Sequence, residues 1–187
     1  MSAQRAVLVE AFAEGPLQGN GAAVVLLDEP AESSWMQALA ASFKQSETAF
    51  LWQRSPDAWA LRWFTPMCEV QLCGHATLAA SLALAHWDLL PQGVDRCLAS
   101  RSGPLTVRLH PSWSQVASLD LPSGALEPLH PAADLEALLG TPLLGYWGSE
   151  LGYRVAWLPE AFPLPELPSP SAALQGPDRQ GLVLMQA

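Results

Sequence analysis

The sequence predicts an α/β (α+β) fold in which a strongly curved sheet wraps around one central helix. Strand-like and helix-like patterns alternate along the N-terminal part of the chain, and the helical pattern at Ala76–Trp87 is apolar nearly all round. A helix with an apolar circumference needs cover on several sides, which a flat sheet would not give. Hydrophobic residues make up 50% of the 187 residues, enough for a sizeable core.

The elements before the central helix follow from alternation and from helical periodicity. Strands are predicted at Arg5–Ala13, Ala22–Leu27, Glu47–Gln53 and Trp59–Phe64, with Arg54–Asp57 connecting the last two as a hairpin. A capping-box pattern, Ser34-x-x-Gln37, predicts the start of a helix that ends near Lys44. One face of that helix carries the apolar residues Trp35, Met36, Leu39 and Phe43.

The elements after the central helix are shorter, and they cross a predicted domain boundary. Strands are expected at Arg96–Ser100, Leu105–Leu109 and Val116–Leu121. The turn at Pro122–Gly124 suggests a lobe over residues 1–122 and a partial second lobe over residues 123–187. The second lobe is predicted to contain a helix at Ala132–Leu139, a strand-like segment at Gly145–Leu158, a proline-rich loop at Pro159–Pro177 and an apolar strand at Gly181–Ala187.

Charge and composition narrow the classes of partner. The net charge is −9, the isoelectric point is near 4.7, and Lys44 is the only lysine, so nucleic acid and anionic membranes are disfavoured as partners. Neither a signal-peptide pattern at Met1 nor an apolar run of about 18 residues is apparent, so a cytoplasmic protein is expected. An anionic substrate would need a local positive field.

The turn Cys73–Ala76 can supply such a field. It lies between a strand-like segment and the helical pattern, so it presents backbone N–H groups at a helix N-terminus, where a carboxylate or phosphate is favoured. Glu47 upstream adds a carboxylate that is a candidate base. The combination of an anion cradle and a base predicts an enzyme.

The cysteines give little support to a metal site. Cys68, Cys73 and Cys97 are an odd number without C-x-x-C spacing, and no second pair of ligands follows. Reduced, mostly buried thiols are therefore expected for Cys68 and Cys97.

Several short segments occur in order at a regular spacing and resemble a known family. They are Gly19–Val25, Ser46–Phe50, Arg62–Pro66, Glu69–Val70 and Leu72–Ala79. The set is similar to the N-terminal half of the phenazine biosynthesis-like (PhzF-like) isomerases, which are relatives of diaminopimelate epimerase. The similarity is dense over roughly residues 5–85. One departure is visible, because the family usually has Gly-Asn-Pro where this chain has Gly19-Asn20-Gly21.

The resemblance implies an epimerase-like lobe with a mostly antiparallel sheet, and an isomerase that moves a proton on a small carboxylate-bearing metabolite without cofactor or metal. It implies Glu47 as the catalytic base and Asn20, Gly74, His75 and Ala76 as substrate-binding residues. Ordinary alternatives remain for each: Glu47 as a solvated strand residue, His75 as a helix cap, Asn20 as a turn residue. Cys73 is a rival base, since relatives that racemise amino acids use a thiolate at this kind of helix start.

The second half of the family pattern is where this chain departs most. The resemblance implies an acidic residue from the second half, in an Asp-Pro-x-Thr-Gly-Ser-Ala-like turn, and the sequence contains no such turn. We therefore expect an incomplete second lobe and weak or absent activity, with a non-catalytic small-acid-binding protein or an oligomeric interaction protein as the alternatives. An apolar strand at the edge of a sheet also predicts a homodimer, with Tyr146–Trp157 or Gly181–Ala187 at the contact.

Overall fold

A computed structural model describes residues 4–113, 115–150, 152–164 and 181–186. The chain divides into two compact units, Met1–Pro122 and Ser123–Ala187. Each unit has its own sheet.

The first unit is built on an eight-stranded sheet. Its strands are β1 (Arg5–Ala11), β2 (Asn20–Leu27), β3 (Glu47–Ser55), β4 (Ala58–Phe64), β5 (Glu69–Val70), β6 (Asp95–Ser100), β7 (Gly103–Leu109) and β8 (Ala117–Asp120), and its helices are α1 (Ser33–Phe43) and α2 (Gly74–His86). The order is β1-β2-β3-β4-β6-β7-β8, with β5 paired to β4. Only β2–β3 and β4–β6 are parallel pairs, so the sheet is mostly antiparallel, as predicted.

Helix α2 is the centre around which this sheet curls. It contacts β1, β2 and β3 as well as β7 and β8, which lie at opposite ends of the strand order. Four alanines on the helix, Ala76, Ala79, Ala80 and Ala83, are completely buried, because small side chains let the sheet approach closely. The predicted central helix and the curved sheet around it are both confirmed.

Helix α1 covers the outer face of the sheet, where Met36 and Ala40 are buried against β3 and β4. It begins at Ser33 and ends before Lys44, whose left-handed φ of 56° forms the cap. The predicted capping box at Ser34 is wrong. Ser34 lies inside the helix, whose N-cap is Glu32 without a side-chain capping bond, and the Gln37 side chain donates its amide N–H to the Thr65 carbonyl 2.9 Å away.

The link from β4 to α2 is held by an ion-pair cluster. Arg62 donates to both carboxylate oxygens of Glu69, at 2.7 and 2.8 Å, and Arg101 donates to one of them at 2.7 Å. The hydrogen bond from Arg62 lowers the pKa of Glu69 below its ordinary value, and the charge of Arg62 adds to that effect. The cluster anchors β5, and three residues separate the end of β5 from the start of α2.

The second unit has a four-stranded sheet in the order β12-β11-β10-β9. The strands are β9 (Leu126–Pro128), β10 (Gly145–Ser149), β11 (Tyr153–Leu158) and β12 (Gly181–Gln186), and the helix is α3 (Ala133–Leu139). The segment predicted as one strand-like stretch, Gly145–Leu158, is instead two antiparallel strands, because β10 ends at Ser149 and β11, which begins at Tyr153, runs in the opposite direction. Most of the predicted proline-rich loop, residues 165–177, and Ala187 lie outside the described residues.

Within the described ranges, none of the helices has the length and apolarity needed to cross a membrane.

We predict that the alanine surface of α2 does not tolerate larger side chains. Ala80→Leu should lower the free energy of unfolding by about 1–3 kcal/mol, because added methylenes in a packed core force neighbours to move. The half-buried Ala85, which lines an open cleft, is the matched control, and Ala85→Leu should lower the free energy of unfolding by less than Ala80→Leu does. Urea unfolding followed by circular dichroism measures both. Equal losses in the two variants would show that the sheet does not enclose α2 closely.

Candidate active site

Three chain segments converge at one end of the curled sheet. The parallel strands β2 and β3 run side by side, with Ala22 opposite Glu47, so Asn20 and Glu47 stand at the same ends of neighbouring strands. The N-terminus of α2 contributes His75, whose Nε2 lies 3.2 Å from Glu47 Oε2. The structure therefore brings together residues from three different elements that are widely separated in the chain.

Glu47 and His75 form the core of the site. Their side chains are mostly enclosed, with exposed fractions of 20% for Glu47 and 12% for His75. Although Glu47 Oε2 lies close to the imidazole, it is buried and has no aligned hydrogen-bond donor. A carboxylate oxygen in that state keeps a free lone pair that can accept a proton.

Ser46 is part of the site, although the sequence did not indicate a role for it. Its Oγ lies 3.0 Å from the Gly21 carbonyl, 3.4 Å from Asn20 Oδ1 and 3.2 Å from His75 Nε2. Ser46 therefore links the exposed Asn20 to His75. The only sequence feature that hinted at this link is its position next to Glu47 at the start of β3.

Cys73 touches the opposite edge of the imidazole, with its Sγ 3.4 Å from His75 Nδ1. Burial raises the pKa of the Cys73 thiol to about 12, and the negative charge of Glu47 acts in the same direction. The backbone N–H groups of Ala76 and His75 lower this pKa, but burial dominates, and the side chain makes no capping hydrogen bond. A neutral thiol results, which is the opposite of what a thiolate base requires.

The remaining predicted residues differ in how they can meet a ligand. Gly74, the first residue of α2, is half-buried, and an added Cβ would meet only Leu121 Cδ1 at 3.7 Å. A Cβ at this position would therefore make ordinary van der Waals contact and no clash. Ala76 is completely buried, with its methyl group in the core around α2, and its N–H faces Cys73. Any contribution of Ala76 to an anion site is indirect, through the helix terminus.

The walls of the site follow from strand alternation. Ala49 and Trp63 pair across β3 and β4 and face α2, as Glu47 does. Phe50, three positions after Glu47, packs on the other face of the sheet, against α1. The Trp63 indole Nε1 is buried without a hydrogen-bond partner.

The Glu47, Cys73 and His75 side chains have metal-ligand chemistry, and one ligand atom from each lies within 4.8 Å of the others. The ring orientation does not fit a shared ion, however. Cys73 faces Nδ1 and Glu47 faces Nε2, and these two ring atoms cannot bind the same metal. We therefore interpret the cluster as a hydrogen-bonded group.

A cleft of about 700 Å³ lies elsewhere in the first unit, between β1, the exposed side of α2 and the residues before β8. None of Asn20, Glu47, Cys73 or His75 lines it. This cleft and the group of polar side chains around Glu47 and His75 thus lie at different places in the first unit. We place the candidate site by its chemistry, because the cleft is lined mainly by aliphatic side chains.

Comparison with known proteins identifies the family. The model of the phenazine biosynthesis-like protein family matches residues 9–129. An uncharacterized isomerase of Pseudomonas aeruginosa is 45% identical over 131 residues, which cover 70% of this chain and 49% of that protein. The chain spans about half the length of the curated relatives it matches.

Solved structures show the same fold. A PhzF-family phenazine biosynthesis protein of Enterococcus faecalis superposes with a TM-score of 0.82 and 31% identity, over 97% of this chain and 67% of that one. A predicted epimerase of Pseudomonas aeruginosa gives a TM-score of 0.75 at 23% identity, over 98% of this chain and 70% of that one. The epimerase-like fold predicted from the sequence is confirmed.

We predict that Cys73 resists alkylation in the folded protein. At mildly alkaline pH, iodoacetamide should modify the exposed Cys68 and leave Cys73 unmodified, because the reactive thiolate of Cys73 appears only as the pH rises towards about 12. Peptide mass spectrometry distinguishes the sites. Alkylation of Cys73 as fast as that of Cys68 near neutral pH would restore Cys73 as the candidate base.

Proposed function

Because the chain belongs to the phenazine biosynthesis-like protein family, we propose that it is a proton-transfer isomerase acting on a small carboxylate-bearing metabolite without a cofactor. The observation that carries this proposal is the environment of Glu47 Oε2. This oxygen is buried, accepts no aligned hydrogen bond and lies 3.2 Å from His75 Nε2. Relatives named as isomerases support the reaction class. The substrate and the roles of individual residues are inferred from the geometry.

The substrate carboxylate is proposed to bind at the N-terminus of α2. The protein carries a net charge of −9, so a small anion needs a local positive field, and a helix N-terminus provides one. Gly74 is half-buried and has no side chain, so a ligand is proposed to reach the backbone there. His75, at the next position, offers a ring N–H, and Asn20 is exposed at the end of β2 for a further contact.

The proposed chemistry is one proton abstraction and one proton return. Glu47 removes a proton from a carbon next to the carboxylate or an enol group, and the electron pair left on carbon delocalises onto the adjacent oxygen. A proton is then delivered to another carbon, so the atoms of the substrate are conserved. His75 and the α2 terminus stabilise the developing negative charge.

A non-catalytic role is the second candidate. The resemblance implies that a further acid comes from the second half of the family pattern, and the chain spans about half the length of its curated relatives. A protein that binds small carboxylates at the α2 terminus without turnover would need no such acid.

We predict that the chain exchanges substrate-carbon hydrogen with solvent weakly, and that Glu47→Gln lowers the exchange rate by about 10²–10⁴-fold, the usual contribution of a positioned base. The assay incubates small unsaturated acids and amino acids in D₂O and follows deuterium by mass spectrometry. Glu14→Gln is the matched control, because Glu14 is an exposed glutamate in the β1–β2 connection.

The outcomes separate the candidates. Exchange that survives Glu47→Gln would remove Glu47 from the mechanism. The non-catalytic role would be favoured by two results together. Calorimetry would detect carboxylate binding that His75→Ala weakens, and the deuterium exchange of the substrate would stay at the solvent background. A chain that neither binds nor exchanges any member of the panel would contradict both.

We also propose that the protein forms a homodimer through the second unit. On the face of its sheet away from α3, Trp157 lies beside Met185 and Val155 beside Val183. Trp157, Val183 and Met185 are exposed by 38%, 43% and 49%. An apolar surface of this kind on an edge strand favours association with another chain.

The dimer is tested by sedimentation at several concentrations. Met185→Lys should weaken association by roughly tenfold or more, about 1.4 kcal/mol, because a charge would be buried in the contact. Gln92→Lys adds the same charge at an exposed position in the first unit and should leave association unchanged. A strict monomer at high micromolar concentration would contradict the proposal.

A further inference from the structure

The His75 ring is contacted at both nitrogen atoms, and the two contacts are chemically different. Nδ1 faces the Cys73 Sγ at 3.4 Å. Nε2 faces Ser46 Oγ and Glu47 Oε2, each at 3.2 Å. A neutral imidazole carries one N–H and one lone pair, so these partners decide which nitrogen bears the proton.

The partners of Nε2 are acceptors. Glu47 offers a buried carboxylate oxygen 3.2 Å away that accepts no aligned hydrogen bond. Ser46 has one hydroxyl hydrogen, which is directed to the Gly21 carbonyl at 3.0 Å or to Asn20 Oδ1 at 3.4 Å, so a lone pair of Oγ faces the ring. A ring lone pair at Nε2 would therefore face two other lone pairs, whereas an N–H there would be attracted by both.

The partner of Nδ1 is a donor. The Cys73 side chain is buried, and burial keeps its thiol protonated at neutral pH because the pKa is raised to about 12. A protonated thiol has one S–H to donate, and 3.4 Å is within the range for a hydrogen bond involving sulfur. The contacts at both ring nitrogens thus favour the tautomer that is protonated on Nε2 and carries a lone pair on Nδ1.

We propose that Cys73 is a positioning residue whose S–H donates to Nδ1 of His75, so that the ring carries its proton on Nε2, the nitrogen that lies 3.2 Å from both Ser46 Oγ and Glu47 Oε2. The role of this tautomer in catalysis rests on the proposed function. The tautomer itself does not depend on a substrate and can be measured in its absence. In its neutral form, His75 then offers an N–H suited to an oxygen of the substrate beside the base.

The test is nitrogen-15 NMR of the full chain labelled at histidine. His75 is one of four histidines, and His75→Gln identifies its signals. Spectra are recorded about two pH units above the ordinary imidazole pKa of about 6.5, where neutral tautomers are resolved. We expect wild-type His75 to show a protonated Nε2 and an Nδ1 resonance displaced by an accepted hydrogen bond.

Two substitutions separate donation from packing. Cys73→Ser keeps a donor and should retain the displaced Nδ1 resonance. Cys73→Ala removes the donor, so the Nδ1 resonance should move to the value of an unbonded nitrogen. Cys97→Ala, at a half-buried thiol elsewhere in the sheet, is the control and should leave the His75 signals unchanged.

Two results would overturn the inference. One is a wild-type His75 protonated on Nδ1, which needs no variant to be observed. The other is an Nδ1 resonance that is identical in wild type and Cys73→Ala. Because no substrate is present, a failure here is distinguishable from a failure of the deuterium-exchange assay.

Discussion

The burial of α2 is the constraint on which the rest of the first unit depends. A helix that is apolar on all sides can be stable in water only if other elements enclose it, and a sheet encloses a helix only by curling. The alanines at positions 76, 79, 80 and 83 set how closely the strands approach. Strands from both ends of the sheet order contact α2, as this requirement demands.

Enclosing α2 also decides where its N-terminus lies. The parallel pairing of β2 with β3 sets Asn20 and Glu47 at neighbouring strand ends, and the curl of the sheet brings His75 to within 3.2 Å of Glu47. The same packing buries Cys73, which makes its thiol neutral. Stability and chemistry are thus coupled, because one helix supplies both the core and the polar end of the site.

The site combines polar groups in a mostly buried setting. Glu47 Oε2 and the Trp63 Nε1 are both buried without an aligned partner, which is costly in a folded protein and typical of positions that serve a ligand or a reaction. Ser46 and Cys73 contact the two edges of His75 and restrict its orientation. This restriction is what a proton-transfer site needs, since a misplaced donor loses much of its effect.

By itself, the sequence determined the central helix, the strands of the first unit and the family, because apolar periodicity and ordered motifs are local properties of the chain. It also singled out Glu47 and His75, through their motifs. Only the tertiary structure decided that Ser46 belongs to the site, that Phe50 does not face Glu47, and that the Cys73 thiol is neutral. These facts depend on which face of a strand meets α2 and on how much water the packing excludes, and residues distant in the chain set both.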